Sequence, residues 1–517
     1  MSTAAARFEQ FQREPGEAER RIVIIGGGAA GLSFLGRAVA RGQRDVLLLE
    51  GDCLLGGVWQ QTNYPSLAIH SQSFNYRFAD FRPIASAGTH AVRSEVLEYF
   101  AAYAAERGLH EHLRLGTRAE KIEYRSAAPQ AARYKVVVRG GNADGDRELI
   151  CSHVVCASGL SNAGTPQLPV FEGQDAFSGQ ICHSSAFSEA MVEQAKLEQA
   201  PICVLGGGKS AYDIVLALIR RGLGPQLTWL YRKPLWGFNY DLFYSGALDD
   251  IRRAGATLER FFLAVVHQPL GEQARSLGRQ LVESGVVLNV DPDAGAVEQF
   301  RGAIYKPDEL NLIRQSVRRV RAGAEGLTKV ALQTDTGELI AARYLVCATG
   351  YRRELSLPPI EIVSGRGRRR TYDPGSRKLM FRGLIDPATP GLAYLASEVP
   401  FPQQLYGFSI YAEWLCRFIT DELITHYSDS DIDTENAQLE QSTAYRYNWL
   451  PRAGTDNLSG GMPYLPVTYP VWRSHLARIL ADLGADSELA ASLASDHWHR
   501  PRFEELDARV RALFVAR

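Results

Sequence analysis

A chain of 517 residues with a net charge of −1, 45% hydrophobic and 22% charged residues has the composition of an ordinary folded protein with room for two to four domains. The near-neutral balance offers no field to gather nucleic acid or coat a membrane, and no apolar run is long enough to span a bilayer. The first twenty or so residues have no apolar core of the secretory type, so a cytoplasmic location is expected.

Arg21 to Ile25 is a short β-branched run that ends at Gly26-Gly27-Gly28-Ala29-Ala30-Gly31. A helical pattern follows from Leu32 to about Arg41, and Val46 to Glu50 reads as a second buried strand. This strand-turn-helix-strand context is where a glycine fingerprint carries meaning. The glycines allow a tight turn and close approach to a pyrophosphate, and the helix N-terminus supplies amide donors. Glu50 stands 19 residues after Gly31, where a carboxylate can take both ribose hydroxyls.

Seven cysteines are an odd number without zinc-type spacing, and no metal site is expected. Cys151 and Cys156 suggest a redox pair, but ELICSHVVCASG reads as one strand. Five strand steps place the two about 16 Å apart on opposite faces, beyond the roughly 7 Å that a disulfide tolerates between Cα atoms. Buried strand cysteines are the expected reading.

The Pro- and Gly-containing stretch from Gly159 to Phe177 reads as a linker. A second unit then repeats the first: strand Pro201 to Leu205, turn Gly206-Gly207-Gly208-Lys209-Ser210-Ala211, helix to Arg221, strand Leu227 to Tyr231. At its strand end stand Arg232 and Lys233 in place of an acid, which suits a ribose 2′-phosphate and assigns NADPH to this site. A solvated pair of loop cations is the competing reading. Both units have a later strand ending in small residues, Cys156-Ala157-Ser158-Gly159 and Cys347-Ala348-Thr349-Gly350, which lets the chain pass close to a dinucleotide.

The expected architecture is α/β with two Rossmann-like domains, the NADPH domain inserted into a discontinuous FAD domain. The boundaries read as 1–165 (FAD, first part), 166–340 (NADPH), 341–430 (FAD, second part) and 431–517, a C-terminal extension whose segment Glu504 to Val515 reads as helical. Arg366 to Arg370 reads as an exposed turn. Trp236, Phe238, Tyr240, Phe243 and Tyr244 could line a pocket, although such residues more often pack a core.

Phe177-Ser178-Gly179-Gln180-Ile181-Cys182-His183-Ser184-Ser185-Ala186-Phe187 resembles the FxGxxxHxxx(Y/F) signature of flavin-containing monooxygenases and their N-hydroxylating relatives, the class B flavin-dependent monooxygenases. Ala348-Thr349-Gly350-Tyr351 resembles that family's ATGY segment, and Gly56-Gly57-Val58-Trp59 its GGxW segment. The resemblance covers roughly residues 20–415. It implies FAD and NADPH as cofactors, held by Gly26, Gly28, Ala30, Gly31, Glu50, Gly57, Trp59, Ala119, His183, Gly206, Gly208, Lys209, Ser210, Arg232, Lys233 and Tyr351. His183 is expected in a hinge and cofactor network, and not as a catalytic base.

The implied reaction is reduction of the flavin by NADPH, capture of O2 as a C4a-hydroperoxide, and transfer of one oxygen atom to a small molecule, with no protein nucleophile, nucleic acid or membrane as partner. A homodimer is left open. His70 replaces the asparagine of flavin-containing monooxygenases and precedes Phe78-Ala79-Asp80-Phe81 in matching register, so it is the candidate catalytic residue, either titrating near neutrality or filling the amide's place. Phe187, where Baeyer–Villiger enzymes usually carry tryptophan, favours oxygenation of nitrogen or sulfur. Ser188 departs from the family's usual lysine or aspartate, and Gly31 from the asparagine of many siderophore amine hydroxylases. Baeyer–Villiger oxygenation, a flavin disulfide reductase and a non-catalytic flavoprotein sensor are the alternatives.

Overall fold

In the computed structural model the described residues are 22–140, 147–159, 166–267, 271–291, 293, 297, 300–351, 358–365, 369–372, 381–385, 389, 391–395, 404–420, 434 and 464–515. The run Ile22–Ile25 is buried at all four positions because it lies inside a parallel sheet. That five-stranded sheet has the order Leu392–Tyr394, His153–Cys156, Ile22–Ile25, Val46–Leu49, Leu113–Arg114. The helix Ala29–Ala40 follows the first glycine turn. Its Gly36 lies against Tyr103 so closely that a Cβ would meet the phenol oxygen at 2.0 Å, so only glycine fits that helix crossing.

The second parallel sheet repeats this plan in the order Arg318–Arg321, Leu227–Tyr231, Ile202–Leu205, Tyr344–Cys347, Gln180–His183. Tyr344–Cys347 pairs with Ile202–Leu205 on one side and Gln180–His183 on the other. The boundary expected at residue 340 therefore moves past Cys347: the strand that was read as the start of the returning FAD domain completes the second sheet. The chain rejoins the first sheet at Leu392–Tyr394, beside His153–Cys156.

Three further expectations change. The cysteine strand is broken at Ser152: Arg147–Cys151 joins a separate sheet with Tyr134–Gly140, while His153–Cys156 joins the first parallel sheet. Cys151 and Cys156 are both buried in the core between those sheets. Within the basic run, Arg369 lies in a strand, paired with Glu123 at 2.8 Å and Glu361 at 2.9 Å, since a cation beside a buried carboxylate is held there; residues 366–368 lie outside the described residues. The C-terminal segment is also no appendage. Its helices, at Tyr464–Asp482, Ser487–Asp496 and Arg500–Val515, place Leu476, Phe503, Val510 and Phe514 in one core with Phe34 and Leu35 of the first glycine-turn helix.

That junction is ionic as well as apolar. Glu413, fully buried on the helix Gln404–Ile419, pairs with Arg37 at 2.7 Å, Arg41 at 3.1 Å and Arg417 at 2.8 Å. Arg37 also pairs with Asp80 at 3.2 Å and donates to the Phe514 carbonyl at 3.4 Å. Removing the carboxylate leaves buried guanidinium charge without its counterion. Glu413→Ala is expected to cost about 3–5 kcal/mol of stability, read as a shifted denaturation midpoint; an unchanged midpoint would refute this account of the junction.

Candidate functional site

The two glycine turns are built on the same backbone contact. Gly26 has φ +110°, and a Cβ on it would lie 2.5 Å from the Ala157 carbonyl oxygen. Gly206 has φ +132°, and a Cβ there would lie 2.4 Å from the Ala348 carbonyl oxygen. The alanines in turn donate their N–H groups to Ile25 and Leu205, each at 2.8 Å. The small residues at the strand ends thus bring the chain hard against each turn.

Other glycines of the turns differ in why they are there. A Cβ on Gly31 would sit 1.9 Å from the Gly26 carbonyl oxygen, so the helix can rest on its own turn only through a glycine. Gly28 has an ordinary extended φ and a Cβ would meet only Gly57 at 3.5 Å; Gly208 would meet nothing within 4 Å. At these two positions the fold does not require glycine, and the bare backbone is left facing open space, the cradle that a pyrophosphate needs. Gly57 packs back onto Gly28, so the GGxW segment walls the first turn. The Trp59 Nε1–H donates to the Tyr76 hydroxyl at 2.8 Å. Ala30 is buried at the helix start.

Glu50 is buried at its strand end and turned inward, accepting from the Gly27 N–H at 2.5 Å and the Asp52 N–H at 2.8 Å. Ala119 lies on the strand Thr117–Arg125, whose first amide donates to the Glu50 carbonyl at 2.7 Å. At the corresponding end of the second unit, the Arg232 and Lys233 side chains are exposed. Lys209 does not point along the turn. It forms an ion pair with Asp213 one helical turn later, and Ser210 stands beside Tyr64.

A segment of the first domain crosses to the second. The Tyr64 hydroxyl donates to Asp213 at 3.2 Å, Thr62 and Tyr351 hydroxyls lie 3.3 Å apart, and Gln72 donates to the Tyr240 hydroxyl at 2.7 Å. His70 lies between these anchors. Its ring reaches open space, yet the surrounding protein, with Lys209 and His90 nearby, drives its pKa well below the ordinary histidine value. That direction favours the uncharged imidazole. Burial likewise raises the Asp213 carboxyl, against the opposing pull of Lys209.

His183 is buried at the end of the strand Gln180–His183, at the edge of the second sheet. Its Nε2–H donates to the Gly350 carbonyl at 2.9 Å, leaving Nδ1 to accept from Ser185 Oγ at 2.8 Å, and its ring meets Tyr351 edge-on at 4.9 Å. Phe187 is fully buried in the second domain's core beside Tyr64. Of the aromatic group, Trp236, Phe238 and Phe243 are core residues and Tyr240 reaches Gln72. Sequence reasoning did not find Tyr64, Gln72 or Asp213, because an anchor between domains carries no periodic signal. No helix among the described residues is long and apolar enough to cross a membrane.

The paired turns on two parallel sheets define a protein with two dinucleotide-binding domains. Comparison with known proteins specifies the kind. A family model described as L-lysine 6-monooxygenase/L-ornithine 5-monooxygenase matches residues 72–239. A putative flavin-containing monooxygenase of Arabidopsis thaliana is 28% identical over 42% of this chain and 51% of its own length. The putative FAD-containing monooxygenase MymA of Mycobacterium tuberculosis is 23% identical over 86% of this chain and 90% of its own. Among solved structures, a cyclohexanone monooxygenase variant from Rhodococcus sp. Phi1 bound to NADP+ superposes with a TM-score of 0.60 at 18% identity, covering 90% of this chain and 98% of that chain, a likeness of fold. The resemblance to class B flavin-dependent monooxygenases is thereby shown.

The glycine geometry makes a direct contrast. Gly31→Ala is expected to lower the denaturation midpoint measurably, while Gly208→Ala leaves it within experimental error of the wild type. Equal midpoints for all three proteins would overturn the steric account.

Proposed function

We propose that this protein is an FAD- and NADPH-dependent monooxygenase that transfers one atom of O2 to a nitrogen or sulfur centre of a small molecule. The observation that carries the reading is the charge contrast at equivalent positions of two equivalent units: a carboxylate, Glu50, at the first strand end and exposed cations, Arg232 and Lys233, at the second. A carboxylate suits ribose hydroxyls and repels a 2′-phosphate; a guanidinium does the reverse. The match to the lysine and ornithine monooxygenase model supports a substrate that bears an amine.

The residues present fit both groups. Gly26, Gly28, Ala30 and Gly31 would hold the FAD pyrophosphate, with Glu50 turning from the Gly27 amide to the ribose and Gly57, Trp59 and Ala119 as walls. Gly206, Gly208 and Ser210 would hold the NADPH pyrophosphate, and Arg232 and Lys233 its 2′-phosphate. Lys209, tied to Asp213, would contribute charge beside that turn. The flavin, when bound, supplies hydride acceptance and oxygen activation. The chain's own part is to fix the two sites relative to one another, through Tyr64–Asp213 and Gln72–Tyr240, and to keep water from the reacting centre. His70, a neutral ring in the crossing segment, would donate or accept one hydrogen bond without changing charge.

NADPH oxidation by the purified holoprotein, with O2 and a panel of amines, amino acids, sulfides and ketones, tests the reading through product mass. An amine or sulfide gaining one oxygen supports it. A ketone converted to an ester with amines inert would establish Baeyer–Villiger oxygenation instead. NADPH consumption that is absent with every substrate would favour a sensor.

Arg232→Gln is expected to weaken NADPH relative to NADH by about tenfold or more, since a charge-assisted phosphate contact is lost; an unchanged preference would remove Arg232 from the site. For His70, the pH profile of turnover between about pH 6 and pH 8 should be the same in wild type and His70→Asn. An inflection near the ordinary histidine pKa that disappears in the variant would show a titrating role.

A further inference from the structure

The C-terminal helices reach both domains, and the place where they do so lies behind the segment that carries His70. On one side, Asp496 is fully buried and takes both guanidinium arms of Arg252, at 2.9 and 2.6 Å, from the long helix Leu248–His267 that the second domain inserts after Leu227–Tyr231. The next aromatic residue, Trp498, packs among Phe238, Phe243 and Tyr244 at centroid distances of 5.6, 5.2 and 5.3 Å. On the other side, the His497 carbonyl accepts from Asn75 at 3.1 Å and Phe503 meets the ring of Phe74 at 5.5 Å. Asn75 and Phe74 lie a few residues beyond His70 and Gln72. Farther along, Asp507 pairs with Arg77 at 2.5 Å, and Phe514 meets Arg37 of the first glycine-turn helix.

One short stretch, Asp496 to Phe503, is therefore bonded at its front to the second domain's helical insertion and at its back to the His70-bearing segment of the first. The two domains also meet through the hydrogen bonds Gln72–Tyr240 and Tyr64–Asp213, the Phe74–Tyr244 ring contact at 6.2 Å, and the helix Tyr464–Asp482, which packs on Leu248–His267 and pairs Arg473 with Glu259. Among these the Arg252–Asp496 pair is bidentate to a buried carboxylate and has a packed indole beside it, so it fixes direction as well as distance.

We propose that Trp498 and the Arg252–Asp496 pair are positioning residues: they strap the helical insertion to the His70 segment and so set the approach of the NADPH site to the FAD site. The proposal rests on the cofactor assignment made above. It gives the C-terminal segment a role beyond its packing against the first glycine-turn helix. Small displacements between hydride donor and acceptor are costly, so loosening the strap acts on the rate of NADPH-driven flavin reduction. Flavin binding and the chemistry of the flavin itself are untouched.

The test uses the full-length holoprotein with Arg252→Gln, Arg252→Lys and Trp498→Phe, substitutions at a half-exposed cation and a partly buried ring that leave the cofactor turns intact. Flavin content and reduction by dithionite should equal wild type, while NADPH-driven bleaching of the flavin, followed by stopped flow, slows by about tenfold in Arg252→Gln and substantially less in Arg252→Lys. Hydrogen exchange should rise together in residues 70–78 and 240–251, a readout that needs no cofactor. If Arg252→Gln bleaches at the wild-type rate, or if exchange rises only within the C-terminal helices, the strap is refuted. Wild type that shows no NADPH-driven bleaching at all would instead refute the cofactor assignment. In that case the exchange data alone decide whether the strap exists.

Discussion

The close approach of a strand-end carbonyl to a glycine, Ala157 to Gly26 and Ala348 to Gly206, is the constraint from which the rest of this molecule follows. It forces a positive φ at the first glycine and holds the following helix over its own turn, so that the helix N-terminus points outward from the sheet edge. Because both units obey it, each presents its open backbone at the carboxyl ends of parallel strands, where α/β proteins bind nucleotides. Tyr344–Cys347 belongs in the second sheet for the same reason: Ala348 must follow a strand adjacent to Ile202–Leu205.

Two such units in one chain have a use only if their ligands meet. The molecule devotes a good part of its irregular structure to that. The segment from Thr62 to Gln72 leaves the first domain to touch Tyr351, Asp213 and Tyr240. The buried charges have a different task. Glu413 with its three arginines joins the first glycine-turn helix to the helix Gln404–Ile419, and the C-terminal helix caps the same junction. Such networks add little net stability over apolar packing, but they leave only one arrangement in which every charge is paired.

The turns, their flanking strands and helices, and the contrast between Glu50 and Arg232 were legible in the sequence because each is a local pattern. Ile22–Ile25 and Ile202–Leu205 are buried runs of the expected length, and glycine spacing reports a backbone shape directly. The cysteine strand misled because burial on both sides of Ser152 looks continuous in one dimension although the chain changes sheet there. Arg369 is exposed as expected, but it stands in a strand and not a turn, beside Glu123 and Glu361, which no local pattern reports. His70 was located by register, yet its surroundings were not: Lys209 and His90 come from distant parts of the chain and act on it only through the fold.

By itself the sequence determined the two nucleotide-type units, their order and the contrast of Glu50 with Arg232 and Lys233 at their strand ends, since local geometry and the identity of one side chain suffice for these. Only the tertiary structure decided where the second domain ends, that the C-terminal helices belong to the first domain's core, and that the segment carrying His70 is tied to the second domain on either side of it. Those properties depend on which distant residues share a buried space. Desolvation, charge pairing and sheet membership arise from that sharing, and no local pattern in the chain encodes it.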